Sequence, residues 1–214
     1  MERWMKNISI WLFVVMAVLS FVIPWAHAKT FKGRVIDADT KEPSEGAVVV
    51  VYWYSKRPSI LGEDTRVKDV KETLTDRNGE WQITGPKGRT GPLIPFPIFV
   101  IATFRYTAEP LFIIFKPGYC SWPKGISIEA CKAKIKPKET DDVRGGKTVE
   151  LPKLTNREDR LMSYPHTISS GVDDPQEFMK TEKKQLELLR LLNEERRNLG
   201  LEEYPVYKEL RDEK

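Results

Sequence analysis

The sequence predicts a mainly β fold, a seven-stranded antiparallel sandwich with a C-terminal α-helical extension. Short runs of β-branched and aromatic residues recur between residues 31 and 151, and turn-forming residues separate them. Asn78-Gly79 falls between two of these runs, where the pair is typical of a tight hairpin turn. After Pro152 the composition changes to charged residues with leucines at helical spacing. This order of elements favours a sandwich over alternating βα units.

The N-terminus, residues 1–28, has the organisation of a secretory signal peptide. Arg3 and Lys6 precede an apolar run over residues 8–23, and Ala26-His27-Ala28 provides a small-x-small cleavage site. We expect cleavage after Ala28, which makes the mature chain a periplasmic or secreted protein. Such a chain meets the membrane only through this peptide before cleavage. An uncleaved membrane anchor is the alternative, although the apolar run is short for a full span.

Two cysteines, Cys120 and Cys131, lie in the mature chain. In an oxidising compartment, an even number of cysteines at short spacing favours an internal disulfide. Such a bridge would stabilise the fold by about 3 kcal/mol. Two separate thiols or a bridge to another chain are the alternatives. A zinc site is disfavoured because two cysteines do not complete a zinc shell.

Seven strands are expected, in order over residues 31–38, 47–54, 67–75, 80–84, 98–104, 111–115 and 147–151. The first places Phe31 and Val35 on one side and Lys32 and Arg34 on the other, which is the period of a half-buried strand. The second is a continuous β-branched and aromatic run, which is typical of a central strand covered on both faces. The third and fourth are expected to form a hairpin over residues 73–83.

Two connections are expected to be long and irregular. Residues 55–66 contain Pro58, Gly62 and several charges, which is typical of a surface loop. Residues 85–97 hold three glycines and four prolines, which disfavour regular strand pairing, yet they also hold apolar side chains. This second loop is expected to pack over one end of the core or to line a binding surface.

The C-terminal extension, residues 153–214, is expected to be largely helical. A short helix is predicted over residues 155–164, then a linker, and then a second helix that Asp174 caps and Pro175 begins. Its leucines fall on one face, and Gly200 ends it. Docking of that face on the sandwich is favoured over dimerisation, because the leucine stripe is not a clean coiled-coil pattern. Residues 201–214 are expected to form a loosely ordered polar tail.

Three motifs within residues 31–151 resemble the carboxypeptidase regulatory-like domain, a transthyretin-like β-sandwich. They are Phe31-x-Gly33-x-Val35-x-Asp37, Thr75-Asp76-x-Asn78-Gly79-x-Trp81 and Phe115-Lys116-Pro117-Gly118-Tyr119. The resemblance marks seven turn residues as identifiers of the fold: Asp76, Asn78, Gly79, Lys116, Pro117, Gly118 and Tyr119. It implies an accessory, binding or folding module at residues 29–152. In that family the peptidase machinery, where present, belongs to a neighbouring domain.

The mature chain carries few residues suited to catalysis. His166 is its single histidine, which argues against a histidine-based zinc site or a catalytic triad. Asp76 and Asn78 resemble a fragment of a calcium loop, but the remaining ligands are not at the required spacing. Asp76 is therefore expected to bind turn backbone. The sequence predicts a protein without catalytic residues, metal or cofactor.

Charge and aromatic content narrow the class of partner. The formal net charge is +4, from 35 basic and 31 acidic residues that are interleaved, so a nucleic-acid surface is not expected. The leading hypothesis is an exported, non-enzymatic module that binds or assembles with a protein or glycan of the cell envelope. A carbohydrate-binding module is the alternative, with Trp122 in the cysteine loop as the candidate exposed aromatic. A hydrolase with an unrecognised site is a more remote one.

Overall fold

The computed structural model describes residues 28–59, 62–87, 105–123, 128–132, 143, 146, 148–168 and 174–212. Within these ranges the strands are β1 (Thr30–Asp37), β2 (Val48–Ser59), β3 (Gly62–Leu74), β4 (Glu80–Thr84), β5 (Tyr106–Thr107), β6 (Leu111–Phe115) and β7 (Thr148–Leu151). The helices are α1 (Glu129–Lys132), α2 (Arg157–Met162), α3 (Pro175–Glu182), α4 (Leu186–Asn198) and α5 (Pro205–Asp212). Almost all of the predicted signal peptide and the whole predicted strand 98–104 lie outside the described residues.

The strands form two sheets. The first has the order β4-β1-β7, and in the second β2 pairs with β3, β5 and β6. The predicted antiparallel arrangement is confirmed for every pair but one, because β7 runs parallel to β1. A long connection precedes β7, so no tight turn imposes an antiparallel direction on it.

The inner faces of the two sheets share one hydrophobic cluster. β1 contributes Phe31 and Val35, and the second sheet contributes Val49, Val51 and Trp53 among others. Gly33 lies opposite Trp81 in the register of β1 and β4. A Cβ at Gly33 would lie 2.9 Å from Cζ2 of that indole, so the glycine makes the space that the ring fills.

The predicted hairpin over residues 73–83 is wrong, because β3 and β4 belong to different sheets. The turn between them is a corner that carries the chain from one sheet to the other. Its tight geometry was predicted correctly: Gly79 has a φ of +73°, and its backbone N–H donates to the carbonyl of Asp76 at 2.8 Å. Asn-Gly specifies a sharp turn, but it does not specify that the two flanking strands pair with each other.

The predicted surface loop over residues 55–66 is also wrong. β2 and β3 continue there as a paired two-stranded ribbon, with Arg57 opposite Asp64 and Pro58 opposite Glu63. The charges that suggested a loop are cross-strand partners, which stabilise an exposed pair of strands. Lys56 Nζ, for example, lies 2.7 Å from Glu63 Oε2.

Helix α4 covers the outer face of the second sheet. Leu188, Leu191 and Leu192 pack in one cluster with Val48 and Val50 of β2. The predicted docking of the leucine face on the sandwich is confirmed. The central strand is therefore buried on both faces, as its continuous apolar run predicted.

The C-terminal extension differs from its prediction in two respects. The single helix expected from Asp174 onward is two helices, α3 and α4, separated by residues 183–185. The first helix starts as predicted, since the Asp174 side chain accepts from the backbone N–H of Gln176 at 3.0 Å. The predicted loose tail contains α5, whose Leu210 is 2% exposed.

Cys120 and Cys131 form the predicted disulfide, with their Cα atoms 6.1 Å apart. Both cysteines are fully buried and pack with Ile128 and Leu154. The bridge fastens the segment after β6 to α1, and the backbone N–H of Cys120 also donates to the carbonyl of Pro152 at 2.8 Å. The covalent link therefore ties α1 to the segment after β6, and the backbone hydrogen bond holds Pro152 beside that segment.

We expect replacement of Cys120 and Cys131 together by serine to lower the free energy of unfolding by about 3 kcal/mol, because the unfolded chain loses a loop constraint. Urea unfolding of the variant and the wild type measures the difference. Mass spectrometry of a non-reduced digest provides the control, since it should show the two cysteine peptides linked. Free thiols in the purified protein would contradict the bridge.

Truncation of the docked helix tests its contribution to the fold. Leu188→Ala should cost about 2–5 kcal/mol, because the side chain is completely buried and leaves a cavity between α4 and β2. Met162→Ala, at a side chain that is 54% exposed, is the control and should change stability by less than about 0.5 kcal/mol. Equal, small effects of both substitutions would mean that α4 is not docked in solution.

Candidate interaction surface

The turn formed by Lys116, Pro117, Gly118 and Tyr119 joins three parts of the fold. Gly118 has a φ of +79°, which favours glycine. The Tyr119 hydroxyl donates to Asp37 Oδ2 at the end of β1, at 3.0 Å. Lys116 Nζ lies 5.3 Å from the centre of the Tyr119 ring and donates to Ser44 Oγ at 3.1 Å. The turn thus positions the first loop against the end of β6.

Asp37 is the acceptor at the centre of this arrangement. Besides Tyr119, its carboxylate accepts from the backbone N–H groups of Asp39 at 2.7 Å and Thr40 at 2.9 Å. Burial would raise the pKa of Asp37, but these hydrogen bonds together outweigh it and lower the pKa below its usual 3.8. The Asp37 carboxylate therefore stabilises the backbone of the loop that follows β1.

Asp76 has the role predicted for it. Its Oδ1 accepts from the backbone N–H groups of Asn78 at 2.9 Å and Glu80 at 2.8 Å. The carbonyl of Gly79 in turn accepts from the N–H of Val35 at 2.8 Å. The corner between the sheets is therefore tied to β1, and the Asp76 side chain serves the turn.

Glu195 is a structural residue that the sequence did not identify. It lies on α4, its side chain is 3% exposed, and both its oxygens accept from Arg160 of α2 at 2.7 Å. One oxygen also accepts from the backbone N–H of Gly118 at 3.0 Å. A signal was present, since Glu195 falls seven residues after Leu188, on the stripe that helical spacing assigns to the buried face.

Trp122 does not have the exposure predicted for it. Its side chain is 6% exposed and belongs to the cluster between the two sheets, so the prediction of an exposed aromatic there is wrong. Tyr52 and Tyr54, which are half-buried, meet edge to face with an interplanar angle of 89°. That geometry differs from a flat platform on which a sugar ring could stack.

The remaining sequence candidates are not brought together. His166 is exposed, and Cys120 and Cys131 are joined to each other. In the part of the chain that the structure describes, no three His, Cys, Asp or Glu side chains come together as a metal site. No helix there is long and apolar enough to cross a bilayer.

The outer face of the first sheet is polar and largely exposed as far as Arg34 of β1, after which Ile36 is buried on the same side. We call it the β1 face, and it carries Thr30, Lys32, Arg34, Glu80, Gln82, Thr84, Thr148 and Glu150. Strand alternation places these side chains opposite the buried ones. They form cross-strand pairs, in which Lys32 lies opposite Gln82 and Arg34 lies opposite Glu80. The second sheet differs, because α4 covers its outer face.

A groove of about 460 Å³ runs across the β1 face. It is lined by Lys32, Gly33, Arg34, Asp76, Glu80, Trp81, Gln82 and Gly146. Arg34 is fixed at one end, because its Nε donates to the carbonyl of Asn78 at 2.8 Å. The volume lies in the range of ligand sites, and five of the eight lining residues are polar or charged, whereas small-molecule pockets are lined mostly by apolar side chains. An extended polar ligand or a protein surface suits this groove better than a small apolar molecule.

A second groove, of about 330 Å³, lies between β3 and α3. An ion pair crosses it, since Lys184 Nζ lies 2.6 Å from Asp69 Oδ1. Asp174 and Gln176, also in its lining, form the cap of α3. This groove belongs to the seam through which the extension docks, so the groove on the β1 face is the better candidate for an external ligand.

The pKa of Asp37 has a consequence for stability. Because its pKa is lowered in the folded state, the unfolded state binds more protons, so stability falls as pH falls below about 3.8. Asp37→Asn should cost about 1–2 kcal/mol at neutral pH and remove this part of the acid dependence. Tyr119→Phe should raise the folded-state pKa of Asp37 toward its usual value, so less stability should be lost as the pH falls. Unfolding measured across the acid range tests both, and identical acid profiles in all three proteins would contradict the assignment.

Comparisons of the chain with protein-family models, with curated proteins and with solved structures found no match. The resemblance to the carboxypeptidase regulatory-like domain is accordingly a hypothesis that its three motifs carry.

Proposed function

We propose that the chain is an exported, non-enzymatic module that binds or assembles with a protein of the cell envelope through the β1 face. The observation that carries the proposal is the contrast between the two sheets. The outer face of one is buried under the chain's own helix, and the outer face of the other presents paired polar side chains around an open groove. A polar sheet face that the described part of the chain leaves exposed suits contact with another surface.

The charges on the β1 face favour a protein over a glycan. Lys32 and Arg34 lie on one strand, with Glu80 and Glu150 on its two neighbours, so the two cations of β1 lie between one anion on each side. Such a pattern can select a partner with complementary charges. Protein sites for sugars commonly use exposed aromatic rings, and none of the eight side chains that define the β1 face is aromatic. Binding to a glycan is the alternative outcome.

The transthyretin-like type of sandwich is part of the proposal. In its support, the three motifs contact one another although they are far apart in the sequence. Val35 of the first donates to Gly79 of the second, and Tyr119 of the third donates to Asp37 of the first. The motif residues therefore act together in fixing the ends of strands, which is the role expected of residues that identify a fold.

Different observations support export and the lack of catalysis. A buried disulfide fits an oxidising compartment such as the periplasm or the extracellular space. The hydrogen bonds of the polar side chains support a binding role rather than catalysis. Asp37, Asp76 and Glu195 each accept at least two hydrogen bonds from other groups of the protein and so stabilise its fold. Labelling of the purified protein by hydrolase-directed probes would overturn the non-enzymatic part.

Exchanging charges on the β1 face tests the proposal. The double variant Lys32→Glu/Glu80→Lys keeps the net charge but reverses the local pattern, so it should reduce capture of a crosslinked envelope partner roughly tenfold. The control Lys208→Glu/Glu209→Lys makes the same exchange at two exposed residues of α5 and should capture the partner as the wild type does. Equal capture by both variants, with unchanged melting temperatures, would contradict a role for the β1 face.

A further inference from the structure

The ribbon formed by residues 55–59 of β2 and 62–66 of β3 carries different charges on its two faces. Successive residues of a strand point to opposite faces, so Lys56 and Arg57 lie on different sides although they are neighbours. Arg105 and Tyr106, which lie beside the ribbon, also contact opposite faces of it. Arg105 pairs with Asp64, and Tyr106 bonds to Glu63. Each face can therefore be described by its own set of ionic contacts.

One face is neutral. Lys56 Nζ lies 2.7 Å from Glu63 Oε2, and the Tyr106 hydroxyl donates to the other oxygen of that carboxylate at 2.8 Å. One cation thus meets one anion. This face serves as an internal reference for the other.

The opposite face, which we call the arginine face, is defined by Arg57, Asp64, Arg66 and Arg105. Three guanidinium groups converge on one carboxylate. Arg57 Nη2 lies 3.9 Å from Asp64 Oδ2, Arg66 Nε lies 3.4 Å from Oδ1, and Arg105 also pairs with Oδ2. Three positive charges therefore face a single negative charge. The three arginine side chains are 48%, 67% and 33% exposed, so they are open to an external ligand.

A fourth cation lies beside this face. Lys68 Nζ donates to Thr107 Oγ1 at 2.5 Å and to the carbonyl of Lys87 at 3.5 Å. Both of these acceptors are neutral groups, so neither of them offsets the charge of Lys68. The excess positive charge around Asp64 therefore reaches beyond the arginines.

The state of Asp64 fixes the local charge. Partial burial would raise its pKa, but the hydrogen bond and charge of Arg105, with the charge of Arg66, hold the pKa below its usual value. The carboxylate is thus ionised at neutral pH and offsets one of the three guanidinium charges. Two positive charges therefore remain in excess on this face, and this excess attracts an anion.

We propose that the arginine face is a binding site for a phosphate monoester. Guanidinium groups match phosphate oxygens with pairs of parallel N–H donors, which suits Arg more than Lys. A phosphate monoester carries a charge of about −1.5 to −2 at neutral pH, which balances the excess on this face. The phosphate can belong to the headgroup of a membrane lipid or to a soluble phosphorylated molecule. This site is on the second sheet, and it does not depend on the function proposed for the β1 face.

Two probes distinguish the sources of the phosphate. Co-sedimentation with phosphatidylcholine vesicles that contain phosphatidic acid measures binding to a lipid headgroup, with pure phosphatidylcholine vesicles as the blank. Titration with glycerol phosphate, followed by NMR of the purified protein, measures binding of a soluble monoester. Binding in either arm supports the site, and the arm that responds identifies the source. Binding in neither arm overturns the proposal.

Matched variants test the location of the site. Arg57→Gln/Arg66→Gln should weaken binding roughly tenfold or more, because two charged hydrogen-bond donors are lost. Lys56→Gln removes the same kind of charge one residue away, on the neutral face, and should change affinity less than about twofold. Asp64→Asn should tighten binding, because the competing carboxylate is gone. A loss with Lys56→Gln as large as the loss with Arg57→Gln/Arg66→Gln would reduce the effect to general electrostatic attraction and overturn the site. Thermal melts of each variant establish that it is folded.

Discussion

The structure depends on the burial of β2 on both faces. Val49, Val51 and Trp53 face the first sheet, and Val48 and Val50 face α4. A strand of this composition is stable only if two separate layers exclude water from it. The sandwich provides one layer, and the C-terminal extension provides the other. Residues beyond 152 therefore take part in the hydrophobic core, although the sequence separates them from the strands in composition.

Two carboxylates fix how the extension lies on the sheet. Glu72 of β3 accepts from the backbone N–H groups of Glu187 at 2.8 Å and Leu188 at 3.0 Å, so it caps α4, whose own N-cap side chain makes no such bond. Glu195, further along α4, binds Arg160 and the turn after β6. Apolar packing alone would tolerate sliding of the helix, whereas these directional bonds favour one position.

The sequence identified features that depend on local period and missed features that depend on distant partners. The alternation around Phe31 and the apolar run of β2 indicate burial directly, so β1 and the start of β2 were predicted within one residue, whereas β2 continues five residues beyond its predicted end. The Asn78-Gly79 turn was located correctly, but which strands pair is decided by the rest of the sheet. The ribbon looked like a loop because its charges are satisfied only across strands. Trp122 is buried by residues from both sheets, and the sequence around Trp122 contains no pattern that predicts this burial.

The β1 face and the arginine face both lie at places that no further layer of the described structure covers. Trp53 and Arg57 are on the same face of β2 by strand alternation, yet the first is in the core and the second is half-exposed. Between Trp53 and Arg57, β2 extends past the edge of the first sheet. The face of β2 that is apolar at Trp53 is therefore cationic at Arg57. The β1 face is exposed because no described helix packs on it, whereas α4 covers the outer face of the second sheet. Because the two surfaces lie on different sheets, a ligand at one need not displace a partner at the other.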